Sequence, residues 1–149
     1  MLSPERFLTA SLRAHPSGAA VARVMAAAIQ AVDPEQAVRR HLRREGDCVW
    51  VGERAYDLTA FERVWLVGAG KAGLPMARAA VDVLGGCISG GVVIVKEGYA
   101  GPGKPPGISL AQAGHPLPDE RGVQATRQLI SVLEAAGPRD WVLCLFSGG

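Results

Sequence analysis

Three short stretches hold the residues whose types and spacing can do chemistry. The first, Gly68-Ala69-Gly70-Lys71-Ala72-Gly73, spells G-x-G-x-x-G. Glycines at those places let backbone N–H groups approach an anion, and a helix starting behind them adds partial positive charge. The letters fit a dinucleotide site, and Glu97, 24 residues past Gly73, stands where a carboxylate can hold a ribose hydroxyl. Lys71 points to a different chemistry, because an ammonium inside the loop suits phosphate or the charge that develops in phosphoryl transfer. The stretch is not a Walker A loop, since four residues do not separate a glycine from a Gly-Lys-Ser/Thr. The plainer reading is a tight turn with a solvated lysine.

The second stretch is Gly114-His115-Pro116-Leu117-Pro118-Asp119-Glu120. Its two prolines stiffen the backbone ahead of a helix start at Pro118 or Asp119, so His115 can serve as a ligand or an acid–base group. The alternative has Asp119 as a cap and His115 in a local hydrogen bond. The third stretch, Ser147-Gly148-Gly149, offers turn amides to a phosphate or carboxylate. Lys71 is thus the candidate catalytic residue, and Gly68, Ala69, Gly70, His115, Ser147, Gly148 and Gly149 are the candidate substrate or phosphate contacts. No Ser-His-Asp set, carboxylate dyad or metal-ligand cluster emerges from the spacing, and no metal ligand is assigned.

The elements that must carry these loops follow from pattern. Residues 1–47 read as helical. Ser3-Pro4-Glu5 starts a helix to about Ala14, and Ala19 to Val32 forms a second whose stripe Val21, Val24, Met25, Ala28, Ile29 and Val32 is expected to face a core. Asp33-Pro34-Glu35-Gln36 starts a third that runs to about Arg44 and carries Arg39, Arg40, Arg43 and Arg44 on a solvated face. Residues 48–58 read as a β-hairpin turning at Gly52-Glu53-Arg54. Residues 62–149 alternate strand and helix: strands at Arg63–Val67, Gly91–Val95, Ile108–Ala111 and Trp141–Phe146, helices at Ala72–Leu84 and Asp119–Ala136. In the second helix of that part, Val123, Leu129, Ile130 and Leu133 are expected inward. The apolar strands favour a mainly parallel, doubly wound α/β sheet with its ligand site at the strands' carboxyl ends. All three candidate loops lie at those ends.

The composition narrows the partners. The chain of 149 residues is 48% hydrophobic and has a net charge of +2, too near balance for a dedicated nucleic-acid or membrane binder. Its three cysteines, Cys48, Cys87 and Cys144, form neither a disulfide framework nor a paired zinc site, which fits a reducing cytoplasm. The first fifteen residues lack the apolar core of a signal peptide, and Arg23 and Gln30 interrupt the longest apolar run. Trp50, Trp65 and Trp141 are expected to pack the core.

Val67-Gly-Ala-Gly-Lys-Ala72, the stretch from Gly114 to Glu120 and the strand ending in Ser147-Gly-Gly149 together resemble, in order and spacing, the N-terminal domain of the glycerate 2-kinases. These are ATP-dependent kinases with a second, MOFRL, domain at the C-terminus. The resemblance implies a Rossmann-like fold and phosphorylation of the 2-hydroxyl of D-glycerate to 2-phosphoglycerate with ATP and Mg2+. It implies a catalytic role for Lys71 and a site-shaping role for Ser147, Gly148 and Gly149. It also implies that the sequence is the front part of a longer enzyme, inactive alone, whose second domain and remaining glycine loop lie elsewhere. An NAD(P)-dependent hydroxypyruvate reductase, for which Glu97 matters more than Lys71, is the second reading. A non-catalytic anion-binding or assembly module is the third, with an unpaired sheet edge as the route to a homo-oligomer.

Overall fold

The computed structural model describes residues 2–148, so Gly149 lies outside the described residues. A 3-10 turn at Pro4–Phe7 leads into helices α1 (Ala10–Ala14), α2 (Gly18–Ala31) and α3 (Pro34–His41). Strands β1 (Leu42–Glu45), β2 (Cys48–Val51) and β3 (Arg54–Asp57) follow as an antiparallel meander with tight turns at Gly46 and Gly52, both at positive φ. A strand–helix alternation completes the chain: β4 (Arg63–Ala69), α4 (Gly73–Leu84), β5 (Gly90–Lys96), β6 (Ile108–Ala113), α5 (Glu120–Glu134) and β7 (Asp140–Phe146).

The last four strands form one sheet in the order β6-β5-β4-β7, and every pairing is parallel. The chain steps outward from β4 through β5 to β6, then returns to pair β7 on the other side of β4. That reversal opens a crevice beyond the carboxyl ends of β4 and β7, where open α/β sheets bind ligands. The fold class is the expected doubly wound α/β sheet.

The two faces of this sheet are covered unequally. Leu66, Val93, Val95, Leu143 and Leu145 join Leu74, Ala77, Ala80, Val81 and Leu84 of α4, with Val38 and Val49 behind them, in one continuous core. On the opposite face only Val67, Val92 and Leu129 are buried together, with Ile94, Val132 and Val142 packed around them. Arg63, the first residue of β4, binds Asp140, the first of β7, through Nε to Oδ1 at 3.0 Å and Nη2 to Oδ2 at 2.7 Å, which ties the two strands at their start. This guanidinium, with the Gly137 amide, holds the Asp140 carboxyl below its usual range. Among the described residues no helix is long and apolar enough to cross a membrane.

Five sequence expectations are corrected. The first helix is two pieces, because Leu8 and Thr9 are extended and Thr9 caps α1 through its Oγ1. The third helix stops at His41, and Arg43 and Arg44 lie in β1, which makes the hairpin three-stranded; Arg43 lies over the Trp50 ring at 5.2 Å. The α2 stripe does not meet a core. Val24 is 69% and Val32 75% exposed, while the small face Gly18, Ala22 and Ala26 is buried against the 3-10 turn and α1. Periodicity reports which residues share a face, and at Gly18 the close contact excludes any larger residue, since a Cβ there would collide with the Leu12 backbone. In α5, Ala125 and Leu129 are buried, but Val123, Ile130 and Leu133 are exposed, because the helix packs mainly on β5 and β6 and reaches β4 and β7 through a small cluster at Leu129. Of the tryptophans, Trp141 is buried against Tyr56 and Phe61, whereas Trp50 and Trp65 are half-buried.

Leu66 is fully buried at the centre of the larger core. Leu66→Ala is expected to lower stability by about 3 kcal/mol, from lost apolar burial plus the cavity left behind. Urea denaturation of the two chains measures this, and a loss under about 1 kcal/mol contradicts the assigned core.

Candidate functional site

The loop between β4 and α4 takes its shape from its neighbour across the crevice. Gly70 has φ +122, and a Cβ there would collide with the Ser147 carbonyl and hydroxyl oxygens. Gly68 leaves no room either, since its Cβ would lie 2.5 Å from the Leu145 carbonyl oxygen. At Gly73 a Cβ would press on Val93 Cγ1 at 2.9 Å, so the third glycine lets α4 sit down on the sheet. Ser147 closes the arrangement: its amide donates to Ala69 O at 3.0 Å, and its Oγ accepts from the Ala72 amide at 3.1 Å. Having accepted there, the hydroxyl keeps its own proton to donate.

The loop's amides are largely spent inside the fold. Gly70 N donates to Ile94 O at 3.0 Å, Ala72 N to Ser147 Oγ, and Gly73 N to Gly70 O at 3.0 Å. What the loop presents outward is Lys71, whose exposed side chain has no carboxylate partner among the described residues.

Lys71 borders a cavity of about 510 Å³ shared with Gly70, Lys96, His115, Ser147 and Gly148. The structure therefore brings together residues from all three candidate loops. Gly68 and Ala69 stay in β4, with Gly68 buried and Ala69 facing an adjoining cavity near His115. Sequence reasoning missed Lys96, although it closes the apolar run of β5 at the level of the other loops.

The wall carrying His115 is built by Asp119. Its Oδ1 accepts from the amides of Gly114 at 3.0 Å and Gly122 at 2.9 Å, so one carboxylate caps α5 and folds the loop back on itself. Gly114 sits so tightly there that a Cβ would approach the Leu117 carbonyl oxygen at 2.8 Å. Arg121, also missed from sequence, donates to Asp119 Oδ2 at 2.6 Å and to Glu97 Oε2 at 2.8 Å. The two amides, then Arg121, hold the Asp119 carboxyl down at about 2, and Arg121 lowers Glu97 as well. Glu97 is thus engaged by Arg121 and stands outside the cavity lining.

Among the described residues the cavity lining contains no carboxylate side chain, and no three His, Cys, Asp or Glu side chains converge on a common point. The donor set present does not fit a divalent cation. It fits anionic oxygens, with two ammonium groups, an imidazole and a hydroxyl on one concavity.

A parallel sheet with a cationic cleft at its strand reversal defines a Rossmann-like α/β domain. The family described as "Domain of unknown function (DUF4147)" matches residues 20–149, and the chain belongs to it, the N-terminal domain of the glycerate kinase family. A glycerate 2-kinase of Pyrococcus horikoshii is 34% identical over 127 residues, which are 85% of this chain and 28% of that protein. A protein of Agrobacterium vitis named putative hydroxypyruvate reductase is 35% identical over 130 residues, covering 85% of this chain and 25% of its own length. The crystal structure of a glycerate kinase from Thermotoga maritima superposes with a TM-score of 0.64 at 34% identity, over 82% of this chain and 26% of that one. The chain spans about a quarter of the length of the curated relatives it matches.

Two outcomes are expected. Gly70→Ala forces both a strained φ and a collision with Ser147, so the substituted chain should lose anion binding and show shifted Ala72 and Ser147 amide resonances. Asp119, ordinarily ionised above 3.8, has its carboxylate form favoured by the fold. Its contribution is therefore complete above pH 3.8 and disappears as pH falls through about 2. The Gly114 amide shift should titrate with a midpoint near pH 2, and a midpoint near pH 4 contradicts the assigned hydrogen bonds.

Proposed function

We propose that this chain supplies the phosphoryl-binding part of an ATP-dependent glycerate 2-kinase, which converts D-glycerate to 2-phosphoglycerate in the cytoplasm. The observation that carries the reading is Lys71, an outward-facing ammonium without a carboxylate partner among the described residues, at the mouth of a switch-point cavity. Phosphoryl transfer asks a protein mainly for positioning and for positive charge where oxygens gain negative charge. Lys71 supplies the charge, the Ser147 hydroxyl a donor beside it, and the Gly70–Ser147 contact the rigidity.

When bound, ATP supplies the phosphoryl group, and its phosphate oxygens suit the Lys71, Lys96 and Ser147 donor set. The residues described here do not provide magnesium ligands, and no step is assigned to the metal. His115 faces the same cavity as a substrate contact. The relatives are about three times as long, and we assign the remaining groups to that additional length, so the chain alone is expected not to turn over.

The reductase reading has the printed name of the Agrobacterium vitis relative in its favour. Against it stand the Glu97 carboxylate, held by Arg121, and a glycine loop whose amides are already engaged. In a full-length protein carrying this chain, ATP should be consumed with D-glycerate, and Lys71→Ala should lower kcat/KM by about 100- to 1,000-fold with an unchanged circular dichroism spectrum. Consumption of NADH with hydroxypyruvate, without ATP-dependent turnover of glycerate, overturns the proposal.

A further inference from the structure

We infer that Lys96 is a specificity residue, holding the carboxylate of a phosphorylated 2-hydroxy acid while Lys71 and Ser147 hold its phosphate. This deepens the kinase reading and rests on it.

Lys96 is the last residue of β5, and its backbone is fixed on both sides. It pairs with Ala113 across the sheet, and the next amide, Glu97 N, donates to Ala113 O at 2.9 Å. The turn beyond it is also fixed: Tyr99 N donates to Lys96 O at 2.9 Å, and Gly98, at φ +79, donates to Gln112 Oε1 at 3.0 Å. This turn puts the Tyr99 ring 5.1 Å from Lys96 Nζ, a cation–π contact that leaves the ammonium's hydrogens free for a further acceptor.

The carboxylate next in sequence does not neutralise Lys96. Glu97 is turned to Arg121, and among the described residues Lys96 has no carboxylate partner. Two ammonium groups thus face one cavity whose lining, among the described residues, has no acidic side chain. Like charges so placed repel each other, and a ligand with two acidic groups relieves that repulsion best. β4 and β5 are adjacent, and parallel neighbours lie about 4.8 Å apart. Lys71 follows Ala69 by two residues and Lys96 follows Ile94 by two, and Ala69 and Ile94 are register partners. Lys71 thus stands in the loop just past β4 and Lys96 at the end of the neighbouring β5, and both line the one cavity, an arrangement that suits a ligand carrying two acidic groups close together. Lys71 stands beside the Ser147 hydroxyl and the start of α4, the better setting for a phosphate; Lys96 has only itself to offer, which suits a carboxylate.

The test is a calorimetric or NMR titration of the 149-residue chain with 2-phosphoglycerate, inorganic phosphate and pyrophosphate. The wild-type chain should bind 2-phosphoglycerate about tenfold more tightly than phosphate, the yield of one charge-assisted contact. Lys96→Ala should bring that ratio to about one while leaving phosphate affinity within about twofold, and Lys96→Arg should restore it. A wild-type ratio near one, a Lys96→Ala ratio equal to that of wild type, or a Lys96→Ala loss confined to pyrophosphate overturns the inference. Those failures leave the kinase reading to the separate turnover assay of the full-length protein.

Discussion

Where β4 and β7 end, two backbones come closer than any side chain allows. Gly70 and Ser147 are in contact with no room for a Cβ, and Ser147 joins both sides by donating to Ala69 and accepting from Ala72. The rest of the site depends on this clasp. It spends the loop's inward-facing amides on the fold, fixes the start of α4 and leaves one side chain, Lys71, directed to the crevice. A glycine-rich loop of this kind differs from a dinucleotide loop in what it offers: one exposed positive charge on a tightly packed base in place of a row of amides.

The electrostatics of the cleft are organised by where the acids are absent. Glu97 adjoins Lys96 in sequence and Asp119 lies four residues past His115, yet Arg121 pairs with both and neither lines the cavity that holds Lys71 and Lys96. Their negative charge is spent on structure, holding the loop and capping α5, and the cavity keeps a positive field. Arg121 is thus outside the cavity lining while pairing with the two acids nearest to it in the fold's loops.

Much of this was legible in the sequence, for identifiable reasons. The apolar runs around Leu66 and Val93, flanked by glycines and followed by helical spacing, specify buried parallel strands, and the strand ends then bring Lys71, His115 and Ser147 into one place. Local turn chemistry was also readable, as Asp119 and Asp33 both cap helices through their own carboxylates. What escaped was tertiary in origin. The stripe on α2 has a regular apolar spacing, but nothing in spacing states whether a layer lies opposite, and among the described residues none does. Arg43 and Arg44 suit a helix end as well as a strand, and pairing with β2 decides the matter. Lys96 and Arg121 carry no motif, and their roles exist only after β5 and α5 are side by side.

The unequal thickness of the sheet's two sides has a mechanical consequence. α4 rests on the broad core and α5 on the narrow one, so the side of α5 is expected to open at lower cost than the side of α4. Because Asp119 fastens Gly114 to the first turn of α5, the wall bearing His115 travels with that helix, whereas the wall bearing Lys71 stays anchored. The two walls of the cleft thus rest on unequal foundations, the Lys71 wall on the larger core and the His115 wall on the smaller one.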